Sequence, residues 1–346
     1  MSEQQDFIRT IDLIFERGCD RSVREAAEQG GIPQELWKTL DEVGVTQATL
    51  PEDQGGPGLA FSDAMAILRR SAYHAAPIPL AETLLGVRML ARAGLAVPAG
   101  PLTVAPVRSE DKLSLIQGEG GRFFLSGSAH RVPWGDACEF AVVAAQCGGS
   151  DYVALVSTKS SRGVVERNLA GEPRVTLNFD ALAVEACAPL DQACSLMEHE
   201  GALMRSVQIW SALERILEYS ITYANERVQF GRPIGKFQAV QHMLALLAGH
   251  AAACSAAVSA AVEQPDSFRI AVAKSRAGEA AGRGAEIAHQ VHAAMGFTRE
   301  HSLHYSTRRL WSWREEFGNE TYWQTRIGRL VAGLGVDALW PFLAES

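Results

Sequence analysis

Three basic side chains and three flat ones crowd one turn of the chain. In the segment Glu226 to Gln241, ERVQFGRPIGKFQAVQ, Arg227, Arg232 and Lys236 are interspersed with Phe230, Phe237 and Gln238. Guanidinium groups engage phosphate or carboxylate through two-point hydrogen bonding, and phenyl rings cover flat ligands. The set can therefore hold an anionic, planar molecule. An exposed basic loop between helices has the same composition and no ligand, and the residues alone leave both readings open. Two histidine pairs, His289 with His292 and His301 with His304, are spaced i, i+3 and can in principle share a metal. No Asp or Cys ligand set accompanies them, so they read as helix-surface histidines and no metal is expected. Six cysteines (Cys19, Cys138, Cys147, Cys187, Cys194, Cys254) contain no Cys-x-x-Cys pair and read as reduced and packed.

The elements that hold this turn are legible from periodicity. A helical stripe of Val207, Trp210, Leu213, Leu217, Ile221 and Ala224 leads into it, and Gly231, Pro233 and Gly235 end that helix before another begins near Gln238. Alanine is dense from Leu244 to Ala261 and from Ala271 to Ala294, and small side chains on long helices permit the close packing of a four-helix bundle. The first hundred residues also read as helices. Leu36, Trp37, Leu40 and Val43 follow Ile32-Pro33, then Met65, Leu68 and Ala72 follow Phe61, then Leu80, Leu84, Val87 and Ala91. Between them the character changes. Phe123–Leu125, Phe140–Val143 and Tyr152–Val156 are short apolar runs bounded by Gly, Ser and Asp, and Arg174–Phe179 alternates, as strands of an antiparallel sandwich or barrel do. The expected architecture is α+β and multidomain: an N-terminal all-α domain (1–100), a middle β domain (101–192) and a C-terminal helical bundle (193–346).

Length and composition bound the function. A chain of 346 residues supports two or three cores. Hydrophobic and charged contents of 47% and 21% are those of an ordinary globular protein. No apolar run is long enough to span a bilayer, and the polar start MSEQQDFIRT lacks a secretory pattern, so the expected location is the cytoplasm, without a membrane. A formal net charge of −8 disfavours nucleic acid but leaves room for a phosphate-bearing ligand met by a few local cations.

The turn also resembles the Arg-x-x-Phe-Gly element of acyl-CoA dehydrogenases, which grips the diphosphate of FAD. Three further segments match that family in order. Leu50-Pro51-Glu52-Asp53-Gln54-Gly55-Gly56-Pro57-Gly58-Leu59 looks like its Pro-Glu-x-x-Gly-Gly-x-Gly element. Phe123 to Trp134 stands where a strand passes the flavin. Gln290-Val291-His292-Ala293-Ala294-Met295-Gly296-Phe297 resembles its Gln-x-x-Gly-Gly-x-Gly stretch. The resemblance covers nearly the whole chain. It implies FAD-dependent α,β-desaturation of an acyl-CoA thioester, with electrons passed to an electron-transfer flavoprotein or a similar acceptor, in a dimer or tetramer. It also implies that Arg227, Phe230 and Gln238 bind the cofactor, and that Gln290, with Gly296, reaches the cofactor of a neighbouring subunit.

The same resemblance exposes departures. Phe317-Gly318-Asn319-Glu320-Thr321 overlies the family's Tyr-Glu-Gly-Thr stretch, which puts Gly318 at the place of the catalytic glutamate. The alternative place, at the start of the long helix, holds Gly201. Nearby carboxylates are Glu200, Glu315, Glu316 and Glu320, of which Glu316 and Glu320 are the candidate bases. The flavin-facing Trp-Ile-Thr becomes Arg131-Val132-Pro133, and the paired glycines before Gly296 become Ala293 and Ala294. The expected assembly is a homo- or hetero-oligomer, and these departures point to one chain of a hetero-oligomer in which a partner supplies the glutamate or part of the flavin site. The alternatives are a non-catalytic structural subunit, or a flavin oxidase or monooxygenase on the same fold.

Overall fold

The computed structural model describes residues Glu3 to Glu345, and its contacts divide the chain into two compact units, Met1–Met204 and Arg205–Ser346. The first unit begins with helices α1 (Glu3–Gly18), α2 (Arg21–Ala27), α3 (Gln34–Glu42), α4 (Phe61–Tyr73) and α5 (Leu80–Arg92). Local signals set their ends. The Asp20 carboxylate accepts from Val23 N at the start of α2, and Pro33 stands just before α3. Leu36, Trp37 and Leu40 are buried, as are Met65, Leu68 and Ala72, and Leu80, Leu84, Val87 and Ala91, so the expected stripes face a core except at Val43, which lies just past the end of α3 and is exposed.

Eight strands follow: β1 (Leu102–Ala105), β2 (Ser114–Gln117), β3 (Phe123–Pro133), β4 (Phe140–Cys147), β5 (Ser150–Ser157), β6 (Arg162–Arg167), β7 (Pro173–Ala183) and β8 (Ala186–Pro189). They form one sheet in the order β6-β7-β3-β2-β4-β5-β8, with β1 alongside β4. Pairing is antiparallel except where β1 and β2 meet β4. Leu125, Ala129, Val132, Val143, Val156, Val175, Leu177 and Phe179 bury one face. Helix α5 packs on this sheet, where Thr83 Oγ1 accepts from Leu102 N at 3.1 Å.

The second unit takes up most of the long helix α6 (Ala193–Glu226), then a two-residue hairpin, β9 (Val228–Gln229) and β10 (Arg232–Pro233), and helices α7 (Gln238–Glu263), α8 (Ser267–His292), α9 (Leu303–Glu315), α10 (Glu320–Leu334) and α11 (Leu339–Glu345). Helix α8 is the centre of this unit and packs against α7, α9 and α10. Its small residues allow that. A Cβ at Gly284 would lie 2.6 Å from Leu213 Cδ2, and one at Gly278 would lie 2.8 Å from Glu320 Oε2.

Sequence expectations about α6 and α7 fail. The stripe on α6 drifts: Ile221 is 43% exposed, while Ile216 and Ser220 are buried beside Leu213 and Ala224. Helix α7 is long and apolar enough, by length and composition, to cross a membrane, contrary to the expectation that no apolar run is. Its hydropathy comes from many alanines without an intervening charge, which no single apolar block reveals. One stripe of it (Leu247, Ala251, Cys254, Val258, Ala261) is buried.

Candidate functional site

The turn between α6 and α7 is built from strained and exposed parts. Ile234 N donates to Arg227 O at 2.8 Å and closes the hairpin. Phe230 sits at its tip with a φ of 50°, a left-handed conformation that costs a non-glycine residue about 1–2 kcal/mol. Its ring is 92% exposed, touching Phe237 edge-on at 6.1 Å, while the Arg232 guanidinium lies 4.3 Å over the Phe237 ring. Arg227 and Gln238 are exposed, and Arg227 forms no ion pair among the described residues. A large apolar ring is thus held out in water at a backbone cost, three residues along the chain from Arg227.

Gln290 is exposed near the end of α8. The helix ends at Ala293, with a φ of 49°, so Ala293 and not Gly296 takes the left-handed position. Gly296 is buried for another reason. A Cβ there would lie 3.1 Å from His289 Nδ1 and 3.2 Å from Leu303 Cδ2.

The histidines are not on a helix surface, which corrects the sequence expectation. His292 is fully buried, His289 nearly so, and His301 and His304 are half-buried. His292 Nδ1 lies 2.8 Å from Ala288 O, and its ring stacks on Tyr223 at 4.6 Å and meets His301 edge-on. The His289 ring lies between those of Phe297 and Trp311, with Nε2 3.0 Å from Thr307 Oγ1. The i, i+3 spacing placed the rings of His289 and His292 on the inner face of α8, where their flat sides serve as core. No group of three or more metal-ligating side chains occurs among the described residues.

Burial pushes the His292 imidazole down to about 4 and also lowers His289 and His301. The folded values lie below the unfolded one near 6.5, so this stability is present above pH 6.5 and is lost as pH falls toward 4. The melting temperature is therefore expected to drop between pH 6.5 and 4. His292→Gln flattens that drop even if it lowers stability at pH 7.5, as thermal melts across the range will show.

None of the carboxylates near the expected base position is idle. Glu316 is buried and accepts from Arg205 Nε at 2.7 Å. Glu320, the first residue of α10, accepts from Arg314 Nε at 2.8 Å and from the same guanidinium's Nη2. Those hydrogen bonds from Arg314 lower the Glu320 carboxyl below its ordinary value. Glu315 is exposed and accepts from Asn319 Nδ2 at 3.2 Å. Glu200, in the other unit, is buried between Arg88 Nε at 2.9 Å and Arg92 Nη1 at 2.5 Å.

Gly318 holds a φ of 82°, and a Cβ built on it would lie 2.5 Å from Tyr322 Cδ1 and 2.8 Å from Trp323 Nε1. The turn is closed to a side chain at that position. Sequence reasoning named these acids but missed their partners Arg205 and Arg314 and the buried Lys274. A lysine in an alanine-rich helix stripe was the available signal. On β3, Arg131 has a φ of 55° beside a register shift between Ala129 and Val132, and its guanidinium lies 3.8 Å from Glu166. Pro133 offers no N–H, and its carbonyl accepts from Thr103 Oγ1 at 2.5 Å. The thiols of Cys138, Cys194 and Cys254 are pushed up by burial, the last two to about 12, which removes them as nucleophiles at neutral pH.

The acyl-CoA dehydrogenase N-terminal and C-terminal domain families match residues 1–96 and 192–329. Acyl-CoA dehydrogenase IpdE2 of Mycobacterium tuberculosis is 31% identical over 311 residues, covering 89% of this chain and 90% of its own. One chain of the ChsE4-ChsE5 complex from the same organism superimposes with a TM-score of 0.87 at 25% identity, covering 97% of this chain and 99% of that one. A chain of the Tcur3481-Tcur3483 steroid ACAD G363A variant gives 0.86 at 22% identity, over 96% and 98%. The chain belongs to the acyl-CoA dehydrogenase family, whose fold of helices, antiparallel-rich sheet and helices it adopts.

Proposed function

We propose that this chain is the FAD-carrying but base-deficient member of a hetero-oligomeric acyl-CoA dehydrogenase. Its partner supplies the carboxylate that removes the α proton of a CoA thioester. The observation that carries this reading is the closed α9–α10 turn: Gly318 has no room for a side chain, and Glu316 and Glu320 are each engaged by an arginine. A base must reach the substrate's α hydrogen, and either acid would first have to give up a charged hydrogen bond.

The residues of the α6–α7 turn fit the dinucleotide end of FAD. In this reading Arg227 neutralises the diphosphate, Phe230 covers a flat ring and Gln238 hydrogen-bonds at the head of α7. Gln290, with Gly296 behind it, serves the cofactor of an adjoining subunit. FAD, when bound, would supply the hydride acceptor. Pro133, on the flavin-facing strand, lacks both the hydroxyl and the backbone donor that the family resemblance places there, so the flavin-ring side of the site depends on other groups. An assembly is supported by α7, which carries no Asp, Glu, Lys or Arg from Gln238 to Val262 and exposes Ala245, Leu246, Ala248, Gly249, Ala252 and Ala253. Electrons would leave through an electron-transfer flavoprotein or a similar acceptor. We retain three domains, 1–100, 101–192 and 193–346. A cytoplasmic setting suits this activity.

Purifying the chain alone and with its partner tests the reading. A yellow protein that butyryl-CoA and bulkier CoA thioesters bleach anaerobically only when the partner is present is the expected result. Bleaching by the chain alone would defeat it, and a colourless chain would favour a structural subunit. Arg227→Gln is expected to weaken FAD binding about 30- to 150-fold, since a charge-assisted hydrogen bond contributes about 2–3 kcal/mol. Titration of the apoprotein with FAD, followed by fluorescence quenching, measures this.

A further inference from the structure

Lys274, the eighth residue of α8, is fully buried. Its Nζ donates to the carbonyl oxygens of Arg314 at 2.7 Å and Gly318 at 2.6 Å, the two ends of the turn that joins α9 to α10. Between them the backbone passes through two left-handed residues, Phe317 and Gly318, with φ of 53° and 82°. The carbonyl of Phe317, next to that of Gly318, accepts from Trp323 Nε1 at 2.9 Å. A strained turn persists only when its surroundings over-determine it, and Lys274 supplies two of these three fixed points.

We propose that Lys274 is the positioning residue of the α9–α10 turn, a buried two-point clamp that holds the turn closed. Two carbonyls are offered to the side chain, and burial and the charges around it decide its protonation state. Four charged groups face Lys274 from the elements packed on α8: Arg205 of α6, Glu315 at the end of α9, Glu316 in the turn and Glu320 of α10. Two of the three acids are already matched, Glu316 by Arg205 and Glu320 by Arg314, so little negative charge is left to hold a buried cation. Burial is the dominant influence and pushes the amine down to about 7. The clamp needs no contact with substrate or cofactor, and it operates whether or not the chain binds FAD.

Opening the turn hydrates Lys274 and returns it toward its ordinary value near 10.4. Closure must therefore expel a proton above pH 7, and the closed turn gains on the open one as pH rises, by up to about tenfold per pH unit. Amide hydrogen exchange of the peptide spanning residues 315–323, in the full-length protein and corrected for intrinsic exchange, reads this directly. Protection of that peptide is expected to rise between pH 7 and 9 while peptides from β3 to β5 stay level. Flat or falling protection would overturn the clamp, and so would the same rise in Lys274→Met. In that variant the rise is expected to vanish and the turn to exchange faster at pH 9. If Lys274→Met does not fold, the wild-type pH dependence still decides the matter.

Discussion

Replacing Gly318 by Glu, which restores a carboxylate at the position the family's base would occupy, is expected to unfold the turn and yield no dehydrogenase activity. The backbone there has a φ of 82°, where an L side chain costs about 1–2 kcal/mol. A Cβ would also stand 2.5 Å from the Tyr322 ring and 2.8 Å from Nε1 of the buried Trp323. Overpacking of this kind costs about 1–3 kcal/mol. The sum, about 2–5 kcal/mol, is a large share of the stability of an ordinary domain. Urea titration of Gly318→Glu against wild type measures the loss, and anaerobic addition of butyryl-CoA to the chain alone reports the absence of bleaching. A variant that folds with wild-type stability and bleaches would show that the turn opens readily and that this chain merely lost one side chain.

The second large effect is expected at the buried pair that fills the turn. Arg205→Met leaves the Glu316 carboxylate buried without its 2.7 Å partner, which costs about 3–5 kcal/mol. Removing both charges together, with Arg205→Met and Glu316→Leu, is expected to recover most of that loss, because the cost lies in the orphaned charge and not in the missing attraction. Denaturant melts of the two single variants and the double variant form the cycle. If Glu316 acted as the base in this chain, Glu316→Gln would abolish any acyl-CoA bleaching that the assembled complex performs. With the base on the partner subunit, Glu316→Gln leaves bleaching by the complex at the wild-type rate and changes only stability.

These two expectations share a cause. A turn built around a glycine, a buried lysine and two arginine–carboxylate pairs is rigid in a way that a substrate-facing base cannot be. The nearest acids were visible in the sequence as Glu315, Glu316 and Glu320, and they were candidates because one carboxylate looks like another in a string of letters. Their availability depends on Arg205, 111 residues away from Glu316, and on the bidentate grip of Arg314 on Glu320. The histidines fail as a sequence reading for the same reason. Their i, i+3 spacing is legible, but which side of α8 faces the core is fixed by Tyr223, Trp311 and Phe297, which lie far away along the chain or beyond a helix end.

What the chain determined unaided is whatever local interactions control. Helix stripes such as Leu80, Leu84, Val87 and Ala91, the alternation of Val175, Leu177 and Phe179, and the breakers Gly231, Pro233 and Gly235 depend on residues a few positions apart. The order of helices, sheet and helices was therefore readable, as was the basic and aromatic content of the α6–α7 turn. The tertiary structure alone decided which charges are spent and which remain. Arg227 stands without an ion pair among the described residues and Phe230 projects into water, while Glu316 and Glu320 are engaged by arginines inside the second unit. The physical reason is that a charge in a dry interior must find a partner wherever the fold brings one, and sequence distance places no limit on where that is.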